Sequence, residues 1–244
     1  MKRNKALKKL LSSKKSQSSL LGQQVADEPT EEKRQSILDI VNFPQDIKKL
    51  DRNQLRILAQ EIREKILSVV SKNGGHLGGP LGAVELTLAV HYVFNAPQDK
   101  IVIDTGHQSY PHKLITGRKD YFHTLRQYKG VCGFCNIEES EYDVFGAGHA
   151  STAISAALGI AKARDFKNES HKVVAIIGDG AITAGLAFEG LNNAGASKTD
   201  MLIILNDNRM SISPNVGALS NYLNKIVLHQ GYFELRKRTG NFLR

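Results

Sequence analysis

Two short polar segments follow apolar runs, and their residue types fit a metal-bound phosphate group. Asp179 lies between two glycines directly after the apolar run 173–177, and Asn208 ends the Asn-Asp-Asn segment after a second run, 201–205. Mg²⁺ takes one or two protein carboxylates and fills its remaining positions with water and ligand phosphates. We therefore expect Asp179 and Asn208 to form a Mg²⁺-dependent diphosphate site. The alternative is an ordinary Gly-Asp-Gly turn at the end of a buried strand.

Three of the eight histidines, His76, His107 and His149, lie beside glycine where a predicted element begins or ends. Imidazole titrates near working pH and therefore suits proton transfer. We interpret these three as candidate functional groups, with a loop-capping imidazole as the alternative for each. His91 lies in the apolar segment LTLAVHYVF and is expected to pack in the core. Surface positions are expected for His123, His171 and His229.

The segment 172–210 predicts a strand, a helix and a second strand. The helix is expected to begin near Thr183, with Gly195 as its C-terminal stop and with Leu186, Leu191 and Ala194 on one side. Strands joined in this way are parallel neighbours whose carboxyl ends meet at one edge of the sheet. Ligands of open α/β sheets bind at that edge, and the first N–H groups of the helix would favour a phosphate there.

The rest of the chain alternates helical and strand patterns. Asp51 is a predicted N-cap for a helix that stops at Asn73-Gly74-Gly75, and its apolar face carries Leu55, Leu58, Ile62, Ile66 and Val69. A second helix is expected at about 83–94, a short buried strand at 100–104, turns and short helices at 108–145, and a small-residue helix at 151–163. This alternation predicts an α/β fold with a doubly wound, mostly parallel sheet.

The net charge of +9 is located at the two ends of the chain. Residues 1–20 contain seven Lys or Arg and residues 236–244 contain four, with no acidic residue in either segment. The body between them is slightly acidic, which argues against a nucleic-acid groove. Residues 1–34 are expected to form a flexible basic and polar extension, with an organelle transit peptide as the alternative. No apolar run reaches the length of a membrane span.

Cys132 and Cys135 form a C-x-x-C spacing. A zinc site is not indicated, because the chain has no second cysteine pair, and thioredoxin-like motifs do not lie between helical segments. We expect two free, reduced thiols.

Several longer segments resemble one family. They are GGHLGG at 74–79, VELT at 84–87, DTGHQSYPHK at 104–113, ESEYD at 139–143, FGAGH at 145–149 and MSISPNVGAL at 210–219. Together with Gly-Asp-Gly and Asn-Asp-Asn, they resemble the 1-deoxy-D-xylulose-5-phosphate synthases, which belong to the transketolase-like enzymes. The similarity covers about residues 36–230, in order and with family-like spacing. It implies that residues 35–244 form the domain that binds thiamine diphosphate.

The resemblance implies a transferase that condenses pyruvate with glyceraldehyde 3-phosphate, with loss of CO₂, using thiamine diphosphate and Mg²⁺. The product feeds isoprenoid, thiamine and pyridoxal synthesis. At the matching positions, His76 would assist proton transfer. Contacts to the cofactor would come from His107, Gly148, His149, Ala150, Gly180, Ala181 and Asn208. The metal would be held by Asp179, the Asn208 side chain and the Met210 carbonyl.

This chain departs from the family pattern in length and at three positions. The family's later domains, which carry the glutamate that activates the cofactor, are absent from it. Ala150 replaces a usual Ser, and Ile103 and Thr105 replace a usual Trp and Val. Three interpretations follow: part of a synthase, a subunit that works with a separate chain carrying the missing domains, or a non-catalytic cofactor-binding or dimer-forming remnant.

The same resemblance implies a homodimer and a cytoplasmic location, with the plastid as the alternative. From the charge distribution and the apolar run lengths, we expect no nucleic-acid or membrane partner. Taken alone, the 244-residue chain is expected to bind the cofactor without turning over substrate.

Overall fold

The computed structural model describes residues 36–146 and 148–207, together with Ala218, Tyr222 and Lys225. The predictions for Asn208, Met210, His229 and the extension 1–34 therefore lie outside the described residues. The described residues belong to a unit that begins at Ser36.

The first part of the described chain is helical. Its helices are Ile37–Ile40 (α1), Pro44–Ile47 (α2), Arg52–Asn73 (α3), Gly78–Gly82 (α4) and Val84–Val93 (α5). Helix α3 begins where predicted, because the Asp51 carboxylate accepts hydrogen bonds from the backbone amides of Asn53 and Gln54. It ends at Gly74, whose φ of 73° suits glycine. One face of α3 is buried in a core cluster with α1, α5 and the segment 110–131.

Three parallel strands follow in chain order. They are Lys100–Ile103 (β1), Val173–Gly178 (β2) and Leu202–Asn206 (β3), and they form a sheet of order β1-β2-β3. Ile103 pairs with Ile176 and Gly178 pairs with Asn206, so the carboxyl ends of all three strands meet at one edge. The strand–helix–strand prediction is confirmed. Within these three strands the order does not reverse, so the reversal that defines a doubly wound sheet is not among them.

Helices cover both faces of this sheet. The connecting helices are Tyr110–Leu114 (α6), Ala153–Phe166 (α7) and Gly185–Ser197 (α8), with 3₁₀ turns at Phe122–Thr124 and Ala181–Thr183. Helix α7 packs through buried alanines against Val102, Val173 and Ala175. On the other face, Val90 of α5 packs against β1 and β2. The α/β class is therefore confirmed.

Two details of helix α8 differ from the prediction. The helix continues past Gly195 to Ser197, and the left-handed residue that ends it is Lys198, with φ of 51°. Gly195 is a helix-interior glycine, so its prediction as a stop was wrong. Leu186 is 43% exposed and is therefore not on the buried side. Leu191 does pack, together with the buried Ala187, in the cluster of Ile154, Ile177 and Ile182.

Both cysteines are free, and Cys135 is buried. Burial and the nearby Asp143 carboxylate raise the pKa of the Cys135 thiol to about 12. Among the described residues, no helix has the length and apolar character of a membrane span.

Candidate functional site

Asp179 lies at the carboxyl end of β2, as predicted. Its backbone amide donates to the Asn206 carbonyl at 3.1 Å, which places the residues after β2 and β3 next to each other. The Asp179 side chain is buried, whereas Asp207 is exposed. Burial, followed by the Asp207 carboxyl, raises the pKa of Asp179 above its ordinary value. A pair of neighbouring carboxyl groups at this edge gives a divalent cation an electrostatic reason to bind there.

Among the described residues, no three His, Cys, Asp or Glu side chains come together as a complete metal site. The carboxylate oxygens at this edge suit a cation that keeps several non-protein ligands. Mg²⁺ bound to phosphates usually coordinates in this way. Asn208 and Met210, the other predicted ligands, lie outside the described residues.

His76 and His107 converge from two different loops. Their ring centroids are 5.5 Å apart in an edge-to-face arrangement, with Phe134 packed 5.8 Å from His76. His76 follows the glycines after α3, and His107 follows β1 by four residues. The Nδ1 atoms of both rings are buried without a protein hydrogen-bond partner among the described residues. A buried polar atom without a partner calls for an explanation, such as a catalytic role or a bound water or ion.

Glycines allow this convergence. A Cβ atom at Gly79 would lie 2.8 Å from the His107 ring, and one at Gly75 would lie 2.9 Å from the Tyr110 hydroxyl. Gly75 also has φ of 142°, which disfavours any other residue. The His76 backbone amide donates to that same Tyr110 hydroxyl at 3.3 Å. The glycine-rich loop is therefore seated directly on the His107 and Tyr110 side chains.

Both histidines are biased towards the neutral form. Burial, with a smaller effect from the positive charge of Arg126, lowers the pKa of His76. Burial, followed by the charge of His76, lowers the pKa of His107, and Asp104 opposes this shift. A neutral imidazole can accept a proton at neutral pH, so both rings suit proton transfer.

The remaining predicted cofactor contacts lie on two loops at the same edge. Gly148, His149 and Ala150 precede α7 and are all exposed, and Gly148 has φ of 138°. Gly180 and Ala181 follow Asp179 and are half-exposed. Helix α8 follows that second loop, and its N-cap residue, Ala184, makes no side-chain cap. Backbone N–H groups at an uncapped helix start are available to an anion.

The sequence predictions missed two buried residues, Asp104 and Ser151, that join these loops. The Asp104 carboxylate accepts the backbone amide of Ser151 at 2.8 Å and that of Ala153 at 3.0 Å. The Ser151 hydroxyl donates to the Ala181 carbonyl at 2.5 Å. A carboxylate directly after a buried strand was the available signal, and it was obscured by the neighbouring His107.

The histidines outside the site mostly follow their predictions. His91 is 1% exposed and its Nε2 lies 2.8 Å from Nδ1 of His112, so it is a core residue. His123 is exposed, as expected, whereas His171 is half-buried. His112 also bonds Asp143, at 2.9 Å, in a buried cluster that the sequence did not indicate.

Comparison with known proteins identifies a family that this chain matches. The chain matches the family model described as 1-deoxy-D-xylulose-5-phosphate synthase over residues 38–244. A 1-deoxy-D-xylulose-5-phosphate synthase of Syntrophus aciditrophicus is 61% identical over 208 residues, covering 85% of this chain and 32% of that protein. Those of Alkaliphilus oremlandii and Dictyoglomus turgidum are 60% identical over 186 residues and 57% identical over 208 residues. These alignments cover 76% and 85% of this chain, and 30% and 34% of the two relatives.

The chain therefore spans about a third of the length of the curated relatives that it matches. Within that third, the family model covers nearly all of the described residues, including every site residue discussed above. The chain belongs to the 1-deoxy-D-xylulose-5-phosphate synthase family.

Proposed function

We propose that this chain supplies the diphosphate- and Mg²⁺-binding part of a thiamine-diphosphate-dependent 1-deoxy-D-xylulose-5-phosphate synthase, a transketolase-type transferase. The reaction would condense pyruvate with glyceraldehyde 3-phosphate and release CO₂. The observation that carries the proposal is the convergence of His76 and His107 at the sheet edge that also carries Asp179. Family membership supports the choice of reaction.

The residues present fit such a cofactor. Two buried imidazole nitrogens have no hydrogen-bond partner within the described part of the chain, and a glycine loop leaves no room for a Cβ beside His107. The Asp179 carboxylate offers the kind of oxygen ligand that Mg²⁺ takes beside phosphates. Ala150 lacks the hydroxyl that the family usually has, but its backbone amide remains available as a donor.

In this proposal each residue has a defined task. Asp179, with the Asn208 side chain and the Met210 carbonyl, would hold Mg²⁺. The diphosphate would be held by Gly148, His149, Ala150, Gly180, Ala181 and Asn208, and His107 would contact the cofactor directly. His76 would accept and return a proton, because its lowered pKa keeps the imidazole neutral. Thiamine diphosphate, when bound, supplies the carbanion chemistry by which a 2-oxo acid loses CO₂.

Cofactor binding by the 244-residue chain tests the proposal. Calorimetric titration with thiamine diphosphate should give binding that requires Mg²⁺, and Asp179→Asn should weaken it at least about tenfold through loss of the charged ligand. Asp200→Asn is the matched control, because Asp200 pairs with Lys172 on the surface before β2 and β3 begin. Equal binding in EDTA, or unchanged binding by Asp179→Asn, would contradict the proposal.

Homodimer formation and a cytoplasmic location, which the family resemblance implies, stay predictions. The relatives named above are bacterial, which supports the cytoplasm over the plastid.

A further inference from the structure

Asp104 and Ser151 are both 1% exposed, yet they connect three segments at the carboxyl edge of the sheet. Asp104 directly follows β1, and its backbone amide donates to the Ile176 carbonyl of β2 at 2.8 Å. Its carboxylate is therefore fixed relative to the sheet before it makes any contact with a loop.

Each oxygen of the Asp104 carboxylate is used. One accepts the Ser151 amide at 2.8 Å and the Thr105 hydroxyl at 2.9 Å, and the other accepts the Ala153 amide at 3.0 Å. Thr152, the N-cap residue of α7, makes no side-chain cap of its own. Asp104 therefore satisfies the start of α7 from a distant strand, with its negative charge at the positive end of the helix dipole.

Ser151 extends this connection to the second loop. Its hydroxyl donates to the Ala181 carbonyl at 2.5 Å. The residue has φ of 75°, a conformation that non-glycine residues adopt rarely and that its surroundings must therefore maintain. Ser151 is thus held at its amide by Asp104 and at its hydroxyl by Ala181.

The segments joined in this way are the two loops to which diphosphate contacts are assigned above. Gly148, His149 and Ala150 directly precede Ser151, and Gly180 directly precedes Ala181. These loop residues are exposed or half-exposed, whereas Asp104 and Ser151 lie buried beneath them. The two buried residues cannot touch a ligand, so any effect on binding must act through the loops.

We propose that Asp104 and Ser151 are positioning residues, a buried clamp that fixes the loop 148–150 against the loop 180–181 so that both present their backbone N–H groups to one diphosphate. This inference rests on the proposed function. It adds a specific expectation for Ser151: its hydroxyl bond acts on the diphosphate end of the ligand, whereas Asp104 also acts electrostatically on His107. Preorganised donors bind an anion more tightly because less ordering is required on binding.

Ser151→Ala isolates the clamp, because it removes one hydroxyl and leaves the backbone sequence intact. The affinity of the 244-residue chain for Mg²⁺–thiamine diphosphate should fall about fivefold, the factor that one net hydrogen bond carries. Its affinity for Mg²⁺–pyrophosphate should fall by the same factor. Asp104→Asn should weaken both about tenfold or more, because it removes charge-assisted bonds to two amides. The matched control is Ser197→Ala, which deletes a hydroxyl bond to the Ala194 carbonyl at the far end of α8.

A second measurement separates positioning from general stability. In the ligand-free Ser151→Ala chain, hydrogen exchange should accelerate in segments 148–153 and 180–184, while α3 and β2 exchange as in the unmodified chain. Because it uses Ser151→Ala, this measurement tests the positioning role even if Asp104→Asn fails to fold.

The outcomes are distinguishable. If the unmodified chain and Ser197→Ala bind thiamine diphosphate and Ser151→Ala binds it equally well, the clamp is refuted and the proposed function stands. A fall in thiamine diphosphate affinity with unchanged pyrophosphate affinity also refutes the clamp. If the unmodified chain binds neither ligand, the proposed function is refuted, and so is the clamp's role in diphosphate binding.

Discussion

His76 is held by backbone geometry on one side and by aromatic rings on the other. Its amide is bonded to the Tyr110 hydroxyl, and its ring contacts Phe134 and His107. The charge of Arg126 also acts on its pKa, and the Arg126 Cδ atom lies 3.4 Å from the Cβ position of Gly75. The protonation of His76 is therefore set mainly by burial and adjusted by one arginine.

Replacing that arginine tests this account. Arg126→Gln removes a positive charge that disfavours the imidazolium, so the pKa of His76 should rise. It should remain below the ordinary histidine value, because burial is the larger cause of the shift. The measurement is an NMR titration of the His76 ring carbon–proton signal, with Arg126→Lys as the charge-conserving control. A His76 pKa that does not move in Arg126→Gln would show that the guanidinium is screened by solvent.

At the scale of residues, the sequence predicted those site residues that have a local signal in their neighbouring residues. Glycine neighbours indicated His76 and His107, and a strand end indicated Asp179. Asp104 could not be predicted in its present role, because its partners lie 47 and 49 residues further along the chain. Only the fold brings a strand end and a helix start together across that separation.

Helix α8 packs closely against α7 through Gly190. A Cβ at Gly190 would lie 2.9 Å from the Ser155 hydroxyl and 3.0 Å from Ile154, whereas a Cβ at Gly195 would meet no atom of the described residues within 4 Å. The same two helices follow the loops of the candidate site, so their separation influences the loop positions. Two glycines in one helix thus have opposite structural requirements.

Alanine at these two positions should give opposite changes in stability. Gly190→Ala should lower the free energy of unfolding by about 1–3 kcal/mol through overpacking. Gly195→Ala should raise it by about 0.5–1 kcal/mol, because alanine has a higher helix propensity than glycine at an exposed position inside a helix. Urea denaturation of both variants provides the measurement, and each variant serves as the other's control. Destabilisation by both would mean that α8 ends at Gly195 after all.

A buried ionic cluster fixes α6 to the irregular segment that follows it. Asp143 accepts hydrogen bonds from Arg118 at 2.8 and 3.0 Å, and from the Asn136 amide at 2.8 Å. Lys113 and Glu139 complete the cluster through a short ion pair. Burial alone would raise the pKa of Asp143, but the bonds to His112 and Arg118 outweigh it and hold the pKa far below its usual range. The ionised carboxylate is therefore the form that stabilises this region.

Removing that carboxylate should be costly. Asp143→Asn should lower stability at pH 7 by about 3 kcal/mol, because the buried cations lose their partner. Since the folded pKa is depressed, the stabilisation is complete above the ordinary carboxyl value of about 3.9 and is lost progressively as pH falls below it. The free energies of unfolding of the unmodified chain and Asp143→Asn, measured by denaturation from neutral to acidic pH, should therefore approach each other as the pH falls. The exposed Glu138→Gln is the control, and a constant difference at all pH values would contradict the assignment.

At the scale of elements, the apolar patterns predicted α3, α5, α7 and the βαβ unit. Helix α3 also has a recognisable N-cap, Asp51, whereas the N-cap residues of α5, α7 and α8 make no side-chain cap. The segment 108–145 could not be predicted in detail, because its conformation depends on the ionic cluster and not on local periodicity. The end of α8 was mispredicted because an exposed glycine within a helix has the same local appearance as a glycine that ends one.

At the scale of the whole molecule, the first described residues are hydrogen-bonded to the rest of the described chain. The Ser36 hydroxyl and the Leu38 amide both donate to the Glu61 carboxylate of α3, at 2.9 and 2.7 Å. The Lys119 ammonium group donates to the carbonyls of Leu38 and Val41 at 2.9 and 3.0 Å. Segment 36–41 is therefore attached to two separate parts of the body.

Two N-terminal deletions should consequently behave differently. The composition of residues 1–34, rich in Lys, Ser and Gln, offers too little apolar surface to offset the entropy of ordering a chain. Their deletion should leave the thermal midpoint and the cofactor affinity unchanged. Deletion of residues 1–41 also removes Leu38 and Val41, which are 6% and 0% exposed in the core. That loss should lower the midpoint by about 10 °C, since two buried aliphatic side chains and their polar attachments disappear together. Calorimetric scans of the two shortened chains beside the full chain give the comparison. A lower midpoint already in the shorter deletion would show that residues 1–34 contribute to the stability of the body.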